Sequence, residues 1–269
     1  MVFYFTATGN SLYAARQLDA NTMSIPQVMR CGCLRRFSDE AIGVVYPIYG
    51  HRPPEMVERF LREVTLDTPY LYIIPTYGAR HANAVEIVSE ICREAGKEPA
   101  YIHTLLMVDN YLPAFDMDEQ RAVDKHVVEQ LAEIRADIAA RRPFIEPVTD
   151  ADRQAHENFL RYEAALPGGT LAGLVRITDR CIGCGVCARV CPGGCIRIED
   201  GRAHFDYTNC QDGKAHFDGS CCQGCLACAH ACTQKAIALK VPEPNPGSRY
   251  RNEHVTLKDI VYANNQTHN

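Results

Sequence analysis

The sequence predicts an α/β protein: a parallel sheet with helices on both faces, followed by a small cysteine-rich α+β domain. Two observations carry this. Residues 1–142 alternate short apolar runs with helix-like stretches, the pattern of strand–helix units that build a parallel sheet. Eleven of the fourteen cysteines lie between Cys181 and Cys232, with only Cys31, Cys33 and Cys92 outside. A chain of 269 residues is long enough for two domains.

Strands are expected at Val2–Thr6, Ala41–Tyr46, Tyr70–Thr76 and Tyr101–Val108, with a shorter one at Thr22–Ile25. Several of these runs are apolar without a break, as strands buried on both faces are. Helices are expected at Ser11–Leu18, Pro54–Val64 and Asn83–Ala95, the last stopped by Gly96. Asp118–Arg141 reads as one long helix with Val123, Val127, Leu131, Ile134 and Ile138 on its apolar stripe. The expected domains are 1–145, the α/β part; 146–174, a helical connector; 175–241, the cysteine domain; and 242–269, a tail. In the tail, Thr256 and Asp259 cap a short helix, Leu257–Ala263, that packs back on the protein.

The formal net charge of −5 gives no electrostatic argument for nucleic acid or an anionic membrane, and a weak one for partners with a basic docking face. No signal peptide and no apolar run near the ~20 residues of a membrane helix is present, so the expected location is the cytoplasm. In such a chain, rich cysteine content points to metal rather than disulfides.

Cys181-x2-Cys184-x2-Cys187-x3-Cys191-Pro192 is one complete cluster signature, and Cys222-x2-Cys225-x2-Cys228-x3-Cys232 is a second, with Thr233 in place of the proline. Three thiolates at x2 spacing wrap one side of an iron–sulfide cube, and the fourth comes from the other motif. This assigns Cys181, Cys184, Cys187 and Cys232 to one 4Fe–4S cluster, and Cys222, Cys225, Cys228 and Cys191 to the other. Zinc sites instead pair two CxxC knuckles across a longer gap. The two motifs form an internal repeat that resembles the bacterial two-cluster ferredoxins. A second repeat, 12 residues apart, relates Asp200–Gln211 to Asp212–Gln223. It makes Cys210 the orphan copy of Cys222 and leaves Cys210 unligated. Cys195, aligned with Ala236, is expected to be a small buried residue, and Cys221 a non-ligand facing solvent.

Thr6-Ala7-Thr8-Gly9-Asn10-Ser11 ends a strand and opens a helix. Small hydroxyl residues, a glycine and a helix N-terminus form an anion cradle there. The segment lacks GxGxxG and GK[ST], which disfavours nicotinamide dinucleotides and ATP. It resembles the T-x-T-G-x-T/S loop of flavodoxins, with Ala7 where glycine is frequent, and that resemblance implies FMN with its phosphate on this loop. It also implies a five-stranded parallel sheet of order 2-1-3-4-5, whose crevice takes the loops after strands 3 and 4. These loops are Pro47-Ile48-Tyr49-Gly50 and Thr76-Tyr77-Gly78-Ala79, in which Tyr49 or Tyr77 would stack on the flavin, the chain having no tryptophan. Arg80, His81 or Asn83 would sit near its pyrimidine edge.

The whole resembles the flavodoxin–ferredoxin fusion family of anaerobic bacteria and archaea, over residues 1 to about 110 and 175–241. The resemblance implies a cytoplasmic electron carrier that passes electrons between a flavin and one-electron redox partner proteins. Two alternatives stand beside it: an oxidoreductase that reduces a quinone or nitro compound in a pocket of Tyr49, His51 and His81, and a ferredoxin module tethered to a flavin-free docking domain. No acid–base pair stands out as catalytic, so whether the chain is an enzyme stays open.

Overall fold

The computed structural model describes residues 1–31, 36–165, 174–205 and 222–267. Cys33, Cys210, Cys221 and most of the 12-residue repeat lie outside the described residues.

In chain order the α/β part runs β1 (Val2–Tyr4), α1 (Asn10–Leu18), β2 (Thr22–Ser24), α2 (Ile25–Cys31), β3 (Arg36–Ser38), β4 (Ile42–Pro47), α3 (Glu55–Glu63), β5 (Thr65–Asp67), β6 (Leu71–Tyr77), α4 (Ala84–Glu94), β7 (Tyr101–Ile102) and β8 (Leu105–Leu106). Then follow α5 (Met117–Ala122), α6 (Val127–Ala139), β9 (Phe144–Ile145) and α7 (Asp150–Ala165). Every pairing in the main sheet is parallel, in the order β2-β1-β4-β6-β7-β9, with β8 on β6 beyond the end of β7.

The unbroken apolar runs are explained by what lies on each face. Phe3, Phe5, Val44, Tyr46 and Ile73 pack with Val57, Phe60 and Leu61 of α3 and Val88 and Ile91 of α4. Their neighbours Val2, Tyr4, Val45, Tyr72 and Ile74 pack with Leu12 and Ala15 of α1 and Leu131 and Ile134 of α6. Side chains alternate across a strand, so a sheet covered on both faces is apolar at both parities.

Three expectations are corrected. The sheet has seven strands rather than five. The expected strand Tyr101–Val108 divides into β7 and β8 because Thr104 turns its N–H and hydroxyl to Glu146, at 2.6 and 3.0 Å, and β9 adds an outer strand. The expected helix Asp118–Arg141 is two helices. Asp124 Oδ1 accepts the His126 N–H at 2.8 Å and His126 takes φ +51°, an Asx turn that competes with the helix; Val123 is thereby left 48% exposed. Helix α2, with buried Ile25, Val28 and Met29, was not anticipated, since Pro26 and the short apolar spacing mask its period.

The cysteine domain holds β10 (Val175–Ile177), α8 (Val186–Arg189), β11 (Ile196–Glu199), β12 (Arg202–Phe205), α9 (Ala227–Ala231) and β13 (Ile237–Leu239). Strand β10 pairs antiparallel with β13, and β11 with β12. The tail ends in α10 (Leu257–Asn264), whose N-terminus is a capping box of Thr256 and Asp259 as the sequence predicts. Ile260 and Ala263 of α10 join the apolar layer over β1 and α1.

Candidate functional site

Register places the C-terminal ends of β1, β4, β6 and β8 together: Tyr4 pairs with Val45, Pro47 with Thr76, and Tyr77 with Leu106. Ligands of parallel α/β sheets bind at this end. A cavity of about 510 Å³ opens there, within the size range of small-molecule sites. Thr6, Ala7, Thr8, Asn10 and Ser11 line it, with Pro47–Gly50 and Thr76–Ala79, so the three loops singled out in the sequence converge on one space.

Gly9 is the exception. It does not line the cavity but turns the chain at φ +108° behind it. A Cβ there would stand 2.9 Å from Val255 Cβ and 3.0 Å from Asn252 Cβ of the tail. Its N–H donates to Thr6 Oγ1 at 3.1 Å, which leaves the Thr6 hydroxyl its own proton to donate. Thr8 Oγ1 likewise accepts from Asn110 Nδ2 at 2.8 Å, while Ser11 Oγ donates to Thr76 Oγ1 at 2.9 Å, and Thr76 Oγ1 in turn to Tyr46 O at 3.4 Å. The first N–H groups of α1 have no partner within the helix. The loop therefore presents an excess of donors, as an anion requires.

Tyr49 and Arg52 exchange backbone hydrogen bonds at 2.9 and 3.0 Å, with Gly50 at φ +55° and His51 at φ +65°. This is a two-residue type I′ turn. It brings the His51 ring against Phe159 (4.9 Å between centroids) and His156 (5.6 Å) of α7. Burial, then the charges of His156, Arg80 and His81, push the His51 pKa down to about 4. Burial raises the phenol of Tyr49 well above its ordinary value, with Cys225 adding to the effect. Burial also raises the phenols of Tyr77 and Tyr111 and the carboxyl of Asp109. The His51 imidazole and the phenols of the wall are thus neutral near pH 7. His81 lies outside the lining; its ring packs edge-on to Tyr77 at 5.0 Å.

Sequence reasoning missed three parts of the wall: Val108–Tyr111 with Pro113–Phe115, Phe159 and Tyr162 of α7, and Gly224–Leu226 of the cysteine domain. The first was available, because it follows the fifth expected strand at the ligand end of the sheet. The other two depend on how distant segments pack, and no local pattern marks them.

The eight motif cysteines fall into two groups. Cys181, Cys184, Cys187 and Cys232 surround one small apolar space, and Cys191, Cys222, Cys225 and Cys228 surround a second, with Cys195 beside them. Each group takes three cysteines from one motif and one from the other. The internal repeat reappears in the hydrogen bonds: Cys195 N–H donates to Cys191 Sγ at 3.3 Å, and Ala236 N–H to Cys232 Sγ at 3.2 Å. Cys195 is buried, as expected from its alignment with Ala236. Among the described residues no three His, Cys, Asp or Glu side chains gather about one ion; the thiols stand around spaces instead. Burial pushes the Cys187 thiol up to about 11 and raises those of Cys225 and Cys228 strongly, whereas hydrogen bonds from Cys195 and the neighbouring backbone lower Cys191. Thiols in dry cages of this kind are deprotonated by a bound cationic centre, which supplies the missing countercharge.

His230, between Cys228 and Cys232, joins the two sites. Its Nδ1 accepts the Tyr250 N–H at 3.0 Å, so its proton sits on Nε2, which donates to Asn110 O at 2.9 Å. Burial pushes its pKa down to about 4, which keeps this tautomer in place.

The comparisons with known proteins bear on the cysteine domain. No curated protein matches the chain. The 4Fe-4S binding domain family matches residues 174–197, the segment that carries Cys181, Cys184, Cys187 and Cys191. Residues 174–197 are therefore a ferredoxin-type 4Fe–4S binding domain, which supports at least one iron–sulfur cluster in this chain.

Proposed function

We propose that the chain is an electron-transfer flavoprotein of the flavodoxin–ferredoxin fusion type, with FMN in the 510 Å³ cavity and a 4Fe–4S cluster in each cysteine cage. One observation carries the reading: Cys225, a member of the second cage, is also part of the cavity wall. A site at the ligand end of a parallel sheet thus abuts a cage built for a redox cluster.

When bound, FMN exchanges one or two electrons and each cluster exchanges one. The chain's residues bind, orient and exclude water. Thr6, Thr8 and Ser11, with the N-terminus of α1, hold the phosphate. Tyr49 and Tyr77 flank the ring system, and Phe159 of α7 closes the side beyond Gly50. Cys181, Cys184, Cys187 and Cys232 ligate one cluster, and Cys191, Cys222, Cys225 and Cys228 the other. Residues 1–145 form the flavodoxin-like domain and 175–241 the ferredoxin domain, joined by 146–174. The electron partners are other redox proteins. No helix among the described residues is long and apolar enough to cross a membrane.

Anaerobic purification followed by assay of flavin, iron and acid-labile sulfide tests the proposal. The expected yield is one FMN and about eight irons per chain, the content of two such clusters. Iron without flavin removes the FMN half, and zinc or the absence of sulfide removes the cluster half. Turnover of a quinone with no protein partner would favour a reductase over a carrier.

A further inference from the structure

The two cages differ in their surroundings. Gly224, Cys225 and Leu226 line the large cavity, and no cysteine of the other cage does. Cys184, in that other cage, is the one exposed member of the eight, and Ile182 beside it is 63% exposed. The cages are also close to each other. Cys187 and Cys191 belong to different cages but stand one turn apart, Cys187 within α8 and Cys191 just past its end, and Cys228 and Cys232 repeat this at α9. Cys187, Cys228 and Cys232 share one apolar core with Leu226 and Ile237.

We infer that the redox centres are wired in series, the cage of Cys225 exchanging electrons with the occupant of the cavity and the cage of Cys184 serving as the port to an external one-electron redox protein. This rests on the FMN reading above and adds the order of the centres. Electron tunnelling falls off steeply with distance, so the cage that shares a wall with the cavity has the advantage on that side. The cage with an exposed ligand has it on the other. The electron count closes. Reduced FMN bound in the cavity would give up two electrons and two protons in all; the electrons would leave one at a time through the centre held by Cys225 and then the one held by Cys184. Two acceptor proteins are each reduced by one electron, and the protons pass to solvent.

The test uses the full chain carrying its flavin and clusters, and the variants Cys225→Ala, Cys184→Ala and Ile182→Arg. Iron and FMN are quantified in each. Every protein is reduced with a measured amount of dithionite and mixed in a stopped-flow cell with oxidised cytochrome c, a one-electron acceptor too large to enter the cavity. In Cys184→Ala, reoxidation of flavin and remaining cluster alike is expected to slow tenfold or more, with FMN affinity within twofold of wild type. In Cys225→Ala, the remaining cluster is expected to reoxidise at the wild-type rate while the bleached, reduced flavin persists tenfold longer, with a changed spectrum of oxidised FMN and weaker FMN binding. Ile182→Arg keeps all its iron and FMN and is expected to slow cytochrome reduction severalfold. Wild-type protein without FMN overturns both the cavity reading and the series order. FMN present, but with flavin reoxidation and spectrum unaltered in Cys225→Ala, overturns the order alone, as does Ile182→Arg reducing cytochrome at the wild-type rate.

Discussion

Gly78→Ala isolates the fit between the loop after β6 and the wall that follows β8. A Cβ on Gly78 would stand 2.3 Å from both Cα and Cβ of Asp109. Carbon atoms rest near 3.5–4.0 Å, so one loop must retreat by about 1.2 Å or more. Asn110, the next residue, donates to Thr8 Oγ1 at 2.8 Å and accepts from His230 Nε2 at 2.9 Å. A retreat of that size stretches both bonds to about 4 Å, where they no longer count as hydrogen bonds. Losing two such bonds costs about 2 kcal/mol, and the overpacking itself about 1–3 kcal/mol. If about 2 kcal/mol of this opposes the wall geometry that FMN needs, its dissociation constant rises about 30-fold. Fluorescence titration of flavin-free protein with FMN measures it. Gly96→Ala is the control: at φ +67°, with no atom within 4 Å of the added Cβ, it costs about 1 kcal/mol of stability and leaves FMN affinity unchanged. A Gly78→Ala protein that binds FMN within threefold of wild type would refute the close-approach argument.

Three further outcomes follow from the same packing. Gly183→Ala places a Cβ 2.2 Å from the Gly201 carbonyl oxygen at φ +66°, so the first cysteine loop cannot close; the variant is expected to lose about four irons per chain while keeping its flavin, by metal and FMN assay. Glu243→Ala strands Arg249, its partner at 3.0 Å with both side chains under 10% exposed, and removing one member of a buried pair costs about 3–5 kcal/mol, read by urea unfolding of the loaded protein. His51 is neutral in the fold, with a pKa near 4 against an ordinary 6.5, so its contribution to stability is fully present above pH 6.5. That contribution is lost as pH falls toward 4, because the unfolded chain takes up the proton first. The His51 ring should show no NMR titration between about pH 7.5 and 5.5, and His51→Phe should flatten the loss; a ring titrating near its ordinary value would refute the burial argument.

What could be read from the sequence was local. Periodicity located the core strands because each is apolar at both parities, and short motifs located the three cavity loops because a ligand end of a parallel sheet needs small, polar or aromatic residues directly after the strands. The cysteine spacing was legible for a similar reason: a cage fixes three of its four members within a few residues. What escaped depended on tertiary competition. Nothing in Val123–His126 outweighs the helical period except the Asx turn at Asp124, which forms at a place where Val123 has no core to enter. Phe159 looks like an ordinary residue of a polar helix until the turn at Gly50 meets it, and Tyr162 until the cavity wall is assembled around it. Gly9 was read as a cradle residue from its position between Thr8 and Asn10, yet its missing side chain makes room for the tail.

The tail shows why the two halves of the chain belong to one device. Tyr250 Oη and Asn252 Nδ2 both donate to Asn10 Oδ1, at 2.7 and 3.1 Å, and Asn10 Nδ2 donates to Val108 O at 3.0 Å. Asn252 N–H reaches Thr8 O at 2.9 Å. Asn264, fully buried on α10, donates to Thr6 O at 2.8 Å and to Val190 O, next to Cys191, at 3.2 Å. Through Tyr250, His230 and Asn110 a further chain of bonds runs from the tail to α9 and back to Thr8. Buried polar networks of this kind lose much when one member shifts, because each broken bond strands a desolvated group. The Thr6–Ser11 loop and both cysteine motifs are therefore held to the same segment, and the spacing between cavity and cages is set by the fold rather than by a flexible linker. A protein that only tethered two independent modules would have no use for a C-terminal segment hydrogen-bonded both to the Thr6–Ser11 loop and to the cysteine motifs.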